Sequence, residues 1–246
     1  MGESIVLTGM ILTAGPIGEY DKRITLLTKE RGKISAFAKG ARRQGSRLLA
    51  AASPFAFGEF EVYCGRNSYT VGKAVIKNYF RDLSKDTESL YYGYYFLEIA
   101  NYYTKENADE LHMLTLLYRS LRALQVQTIE RRLIKCIFEL KTLVLEGEYP
   151  NVFSCGVCGK KEDIRYFSTE KSGGVCSSCM RNLHQLLPLS PSVLYTMQFI
   201  ITADIEKLYT FCVSDEVLLQ LEEILKAYTK KLWHYEFKSL KILEEL

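Results

Sequence analysis

Four cysteines in this 246-residue chain, Cys155, Cys158, Cys176 and Cys179, fall in the spacing C-x2-C-x17-C-x2-C. Two such pairs can place four thiolates around one ion, which is the donor set of a zinc ribbon or treble clef. The segment reads FSCGVCGKKEDIRYFSTEKSGGVCSSCMRNLH. Gly156 and Gly159 supply the positive-φ freedom that the first knuckle needs, and Gly173-Gly174 leads into the second. A redox CxxC needs a single pair at a strand-to-helix junction, whereas this stretch has two pairs and is loop-rich. Two structural disulfides would need an oxidising compartment. One structural Zn2+ is the expected cofactor, its four-thiolate shell leaving no position for a catalytic water. His184, five residues past Cys179, is surplus to that shell. With few apolar residues between the pairs, the metal is expected to supply much of the module's folding energy. Cys64, Cys136 and Cys212 lie in apolar stretches and read as buried small hydrophobes.

A second set of residues suits a polyanion. Lys33, Lys39, Arg42, Arg43 and Arg47 fall within fifteen positions, in GKISAFAKGARRQGSR. Arginines make forked contacts to phosphate oxygens, and glycines 40 and 45 let the backbone approach a partner closely. Residues 1–82 hold 13 Lys/Arg against 7 Asp/Glu, a net of +6, which leaves −3 for the rest of a chain whose total is +3. Positive charge gathered in one region is the electrostatic footprint of nucleic-acid binding. Arg23, Arg66 and Lys73 are weaker candidates on neighbouring strands. Phe37, Tyr63 and Tyr69 are rings available for stacking, although Phe37 reads as core.

The elements that must position these residues change character near residue 82. Before it the pattern is β. SIVLTGMIL is closed by a turn at Gly15-Pro16, residues 23–28 and 33–38 form a hairpin about Glu30-Arg31-Gly32, and residues 55–64 alternate with period two. Gly65-Arg66-Asn67 signals a further hairpin into residues 68–80. Five short strands in about eighty residues suit a closed barrel, which has no edges to protect. Beyond it, YYGYYFLEIANYY, ELHMLTLLYRSLRAL and IERRLIKCIFELKTLVLEG carry apolar residues at spacings of three and four, the mark of three packed helices. The third is expected to stop at Gly147. Ser190-Pro191 opens another helix, and a last one covers residues 215 to about 235. The tyrosines of the first helix (91, 92, 94, 95, 102 and 103) cannot share one face and are expected mainly to pack. The fold class is α+β, divided into a barrel at 1–82, helices at 83–150, a zinc module at 151–186 and C-terminal helices at 187–246.

Composition narrows the classes. Hydrophobic residues make up 48% and charged residues 25%, a globular balance. No run of 18 uncharged apolar residues appears, and Glu3 stands where a signal peptide is basic, so a cytoplasmic protein without a membrane span is expected. There is no P-loop, no GxGxxG after a strand and no HExxH, and His112, His184 and His234 are scattered, so no enzyme is expected.

The stretch EYDKRITLLTKERGKISAFAKGARRQGSRLLAAASPFAFGEFEVY resembles the N-terminal signature of the bacterial RecO family. The likeness continues through YYFLEIANYY and FELKTLVLEGEYPNVFSCGVCG to GGVCSSC, nearly the whole chain, and the cysteines fit the zinc-bearing branch. The resemblance implies an N-terminal OB-fold, a helical body and a zinc module. It also implies a recombination mediator and strand-annealing protein, nucleoid-associated, that binds single- and double-stranded DNA. The implied partners are RecR and the C-terminal tail of the single-stranded-DNA-binding protein, with which it helps to load RecA. Arg131, Arg132 and Lys135 on the third helix are the candidates for that acidic tail, unless they pair with Glu130 or Glu139. OB-folds and zinc ribbons recur in RNA-binding and translation-associated factors, which is the alternative reading.

Overall fold

A computed structural model describes residues 4–65, 68–126 and 128–246. Five strands close a barrel in the order β1-β2-β3-β5-β4. They are β1 (Ser4–Ile17), β2 (Asp21–Thr28), β3 (Gly32–Ala38), β4 (Phe57–Cys64) and β5 (Tyr69–Asn78), with a short helix α1 (Leu48–Ala51) between β3 and β4. Closure comes from a brief parallel pairing of β3 with β5, Ala36 beside Tyr69 and Phe37 beside Thr70; the other ladders are antiparallel. This is the closed barrel that the strand pattern predicts, and it is OB-like, as the resemblance implies. Its core gathers Leu7, Ile11, Ile24, Leu26, Ile34, Phe60, Val62 and Val71.

Two local expectations fail for identifiable reasons. The chain does not turn at Gly15-Pro16: β1 runs through them, pairing Gly15 with Arg23 and Pro16 with Lys22, and turns after Ile17. Pairing with β4 ends at Met10, so Pro16 borders no second strand and its missing N–H breaks no ladder. Phe37 is not core. In β3 the buried residues are Gly32, Ile34, Ala36 and Ala38, so Phe37 shares the outer face with Lys33 and Ser35 and is only half-buried.

By compactness the chain forms two units, residues 1–125 with 237–246, and residues 126–236. The three helices expected to pack together are divided between them. The first unit holds the barrel, α2 (Thr87–Tyr103) and α3 (Leu111–Val126, whose last residue falls in the other unit), together with α7 (Lys238–Glu245), which the sequence reading missed. Asp86 caps α2 by accepting from the Ser89 N–H. Tyr92 and Tyr95 are buried, and Phe237 stands edge-on to both Tyr95 and Tyr102, so the tyrosine-rich helix packs as expected.

Gly32 joins the barrel to the loop after α2. Its φ is +63°, and a Cβ there would lie 2.4 Å from the Lys105 carbonyl oxygen and 2.8 Å from that of Ala108. Gly32→Ala is therefore expected to destabilise the first unit by about 2 kcal/mol or more, combining left-handed strain with a backbone clash. Urea unfolding followed by circular dichroism measures it; an unchanged midpoint would contradict the close approach.

The second unit holds α4 (Arg131–Leu145), a three-stranded sheet in the order β7-β6-β8, α5 (Pro191–Thr202) and α6 (Asp215–Leu232). The sheet strands are β6 (Ile164–Ser168), β7 (Gly173–Cys176) and β8 (Leu186–Pro188). α4 stops where expected, with Gly147 at φ +73°. Ser190 and Ser214 cap α5 and α6 by accepting from Val193 and Val217. Lys141, buried in α4, donates to the carbonyls of Ile200, Ile201 and Ala203 and so satisfies the end of α5. Among the described residues no helix is long and apolar enough to cross a membrane.

Candidate metal centre and nucleic-acid interface

The sulfurs of Cys155, Cys158, Cys176 and Cys179 all lie within 4.8 Å of one another. Cys155 and Cys158 sit on the loop before β6, Cys176 ends β7, and Cys179 precedes a 3-10 turn at Met180–Asn182. The first knuckle is closed by the Gly159 N–H donating to the Cys155 carbonyl at 2.9 Å, the second by the Cys179 N–H donating to that of Cys176 at 3.0 Å. Gly159 holds φ +74°; Gly156 does not need a positive φ, and instead donates its N–H to Gly174 at 2.9 Å. The sheet contributes Val175, Tyr166 and Leu186 around the cysteines. The module is also less apolar-poor than its sequence suggests, because buried Phe167 packs edge-on against Tyr228 of α6 at 5.7 Å. Lys231 of α6 donates to the Thr169 carbonyl at 2.7 Å and to the Ser172 hydroxyl at 3.0 Å.

The donor set fits a divalent ion. Burial opposes ionisation of Cys155, yet the N–H groups of Cys176, Cys158 and Val157 stabilise its thiolate and hold it down at about 6. Cys179 is pushed up to about 12 by hydrogen bonds with the Cys158 and Cys176 sulfurs, together with desolvation and the neighbouring Cys155. Four sulfurs this close cannot all ionise beside one another, and a cation among them removes that conflict. His184 is exposed and is not in the cluster. Of the other cysteines Cys136 is buried as expected, but Cys64 and Cys212 are exposed, since Cys64 is the last residue of β4 and Cys212 lies in the loop before α6.

The barrel disperses the candidate basic residues over several tasks. Lys33 is half-buried and donates its Nζ to the Asn101 carbonyl at 2.5 Å in the last turn of α2; burial lowers its pKa, opposed by Glu110. Arg42 is exposed, but its guanidinium donates to the carbonyls of Gly18 and Glu19 at 3.3 and 3.1 Å. Lys39, Arg43 and Arg47 are exposed on the loop after β3. Arg43 lies over the Tyr20 ring, 5.2 Å from its centroid. Arg23, on the outer face of β2, donates to the Ser35 hydroxyl at 3.1 Å. It borders a cleft of about 600 Å3 with Thr13, Thr25, Ser35 and Asn101. Lys73 is exposed on β5, in register with Glu61. Arg66 lies outside the described residues. Of the rings, Tyr69 packs on the barrel core, and Tyr63 covers Gly72, where a Cβ would meet it at 2.5 Å.

Sequence reasoning missed Lys22. Its Nζ donates to the carbonyls of Leu49 and Ala52 and to the Ser53 hydroxyl, pinning α1 against the barrel. Burial and Arg42 lower its pKa. The proposed tail-binding residues are engaged within their own unit: Arg132 pairs with Glu222 and Glu130, and Lys135 with Glu139 at 3.4 Å. Arg131 is also partnered.

Comparison with known proteins bears on the whole chain. Residues 1–80 match the family described as Recombination protein O N terminal, and residues 84–241 match Recombination protein O C terminal. This chain belongs to the RecO family. A RecO relative, the DNA repair protein RecO of Thermoanaerobacter sp. (strain X514), is 31% identical over 237 residues, 96% of each chain. That of Acetivibrio thermocellus is 32% identical over 240 residues, 97% of this chain and 96% of the relative. The Bacillus subtilis RecO is 25% identical, again over 97% of this chain. RecO membership thus agrees with the resemblance carried by the E-Y-D-x-x-x-T-L-L-T and A-K-G-A-R-R stretches, and it covers the barrel and the four-cysteine unit alike.

Proposed function

We propose that this chain is a DNA-binding recombination mediator and strand-annealing protein of DNA repair, and not an enzyme. One observation carries the reading: a RecO-family OB-like barrel presents Lys39, Arg43 and Arg47 exposed on a single loop. Exposed arginine and lysine on a loop bind phosphates with little sequence preference, which is what annealing of arbitrary complementary strands demands. Arg23 continues the positive surface along β2, with the hydroxyls of Thr13, Thr25 and Ser35 beside it as further donors. Lys73 and Arg66 are kept as peripheral contributors. The reading extends to the family's partners, RecR and the tail of the single-stranded-DNA-binding protein, and to assistance in RecA loading in the cytoplasm. The four cysteines hold one Zn2+, which serves as a scaffold, since four thiolates complete a tetrahedral shell.

The test is annealing of complementary strands coated with single-stranded-DNA-binding protein. The chain is expected to accelerate duplex formation without ATP. Failure to anneal coated strands, together with failure to bind them, would overturn the mediator reading; preference for RNA over DNA of the same sequence would favour the translation-associated one.

A further inference from the structure

The turn between β1 and β2 carries an aromatic ring with no role in the core. Tyr20 is 43% exposed and is not among the described residues packed on the barrel core, unlike Tyr69 and Tyr79. Its backbone is nevertheless firmly held. The Arg42 N–H donates to the Tyr20 carbonyl at 2.8 Å, and the Arg42 guanidinium to the two carbonyls before it. On the other side of the ring's attachment, the Asp21 carboxylate accepts from the Gly40 N–H at 2.7 Å. Two turns about twenty residues apart in sequence are thus joined by four hydrogen bonds, and Arg43 from the second lies on the ring from the first. Ordering an exposed ring in advance removes an entropic cost from whatever binds it.

We infer that Tyr20 is a base-stacking platform for an unpaired nucleobase of single-stranded nucleic acid, with Arg42 as its positioning residue. The inference rests on the DNA-binding reading of the adjacent loop. A ring that lies under Arg43, beside the loop that also carries Lys39 and Arg47, suits the two features of a strand that alternate along it: a flat apolar base and a charged phosphate. Arg43 is placed to serve both, lying on the ring and within a loop of cations. A neutral protein surface could use an exposed tyrosine too, but would not draw on the cations of the adjoining loop; an acidic protein would draw on them, but would not distinguish oligo-dT from an abasic strand. The ring has no access to a base paired and stacked inside a duplex, so its contribution belongs to single strands alone.

The experiment compares the full-length chain with Tyr20→Ala and Tyr20→Phe on three fluorescent probes: oligo-dT, an abasic strand of equal length and a duplex. Tyr20→Ala is expected to weaken oligo-dT binding about 10-fold, the effect of losing one stacked base, while binding the abasic strand and the duplex as the parent does. Tyr20→Phe, which keeps the ring, is expected to bind oligo-dT like the parent. Unchanged oligo-dT binding by Tyr20→Ala overturns the inference and leaves the DNA-binding reading intact. Equal losses on all three probes also overturn it, because they mark a loop defect and not a lost stack. A parent chain that binds none of the probes overturns both readings.

Discussion

Replacing Cys176 with serine is expected to abolish zinc binding and unfold the three-stranded module, while the barrel remains folded. Cys176 is only 2% exposed, ends β7, and donates its N–H to the Cys155 sulfur at 3.4 Å, so a hydroxyl there removes a ligand and leaves three crowded thiols. Structural zinc in a four-ligand site contributes about 10 kcal/mol or more of apparent binding energy, far above what the packing of Phe167 on Tyr228 can replace. Lys231 and Tyr228 tie the β6–β7 hairpin to α6, so the loss is expected to reach that face of α6, while the barrel, in the other unit, is spared. Acidification is expected to act the same way, because protons compete with the metal for the sulfurs and zinc is released as pH falls. Elemental analysis of the purified chain and hydrogen exchange over residues 151–188 measure both effects. A parent chain without zinc, or a serine variant with full protection in the module, would contradict this.

Charge reversal of Lys39, Arg43 and Arg47 together is expected to weaken single-stranded DNA binding about 100-fold at low salt, allowing roughly 1 kcal/mol per lost exposed contact. The side chains of these three are exposed and, among the described residues, are not spent on backbone carbonyls. Arg42 is deliberately kept. Its guanidinium holds the Gly18–Tyr20 turn, so reversing it would confound a lost phosphate contact with a loosened loop. Lys33 is kept for the same reason, since its bond to Asn101 secures the end of α2. Zinc content should stay at the parent level in this variant, and the Cys176 variant should retain most of its DNA affinity. Binding isotherms of both variants separate the two sites.

The difference between these basic residues was not legible in the sequence. Lys33, Lys39, Arg42, Arg43 and Arg47 look alike as a run of charge, and only the tertiary structure shows that two of them close backbone ends. Such bonds join positions 23 to 68 residues apart, beyond any local pattern. Tyr20 was missed for a related reason: its place beside Arg43 depends on two turns meeting. The barrel and the cysteine cluster were legible because each follows from a short-range rule, strand alternation in one case and ligand spacing in the other. Phe37 marks the boundary between the two kinds of information. Its apolar type suggested the core, yet the parity of Ile34, Ala36 and Ala38 already assigned it to the outside, so the pattern outweighed the residue type. Ser190-Pro191 worked well as a helix start because an N-cap and a fixed proline φ act within a single turn.

If the loop cations contact DNA phosphates, single-strand binding must weaken steeply as salt is raised. Each neutralised phosphate contributes about −0.7 to the slope of log affinity against log salt, so Lys39, Arg43 and Arg47 give the parent chain a slope of about −2 or steeper. The triple charge-reversed variant is predicted to have a slope shallower by about 2. Parallel slopes for parent and variant, or a parent whose affinity does not change with salt, would contradict phosphate contact by these cations.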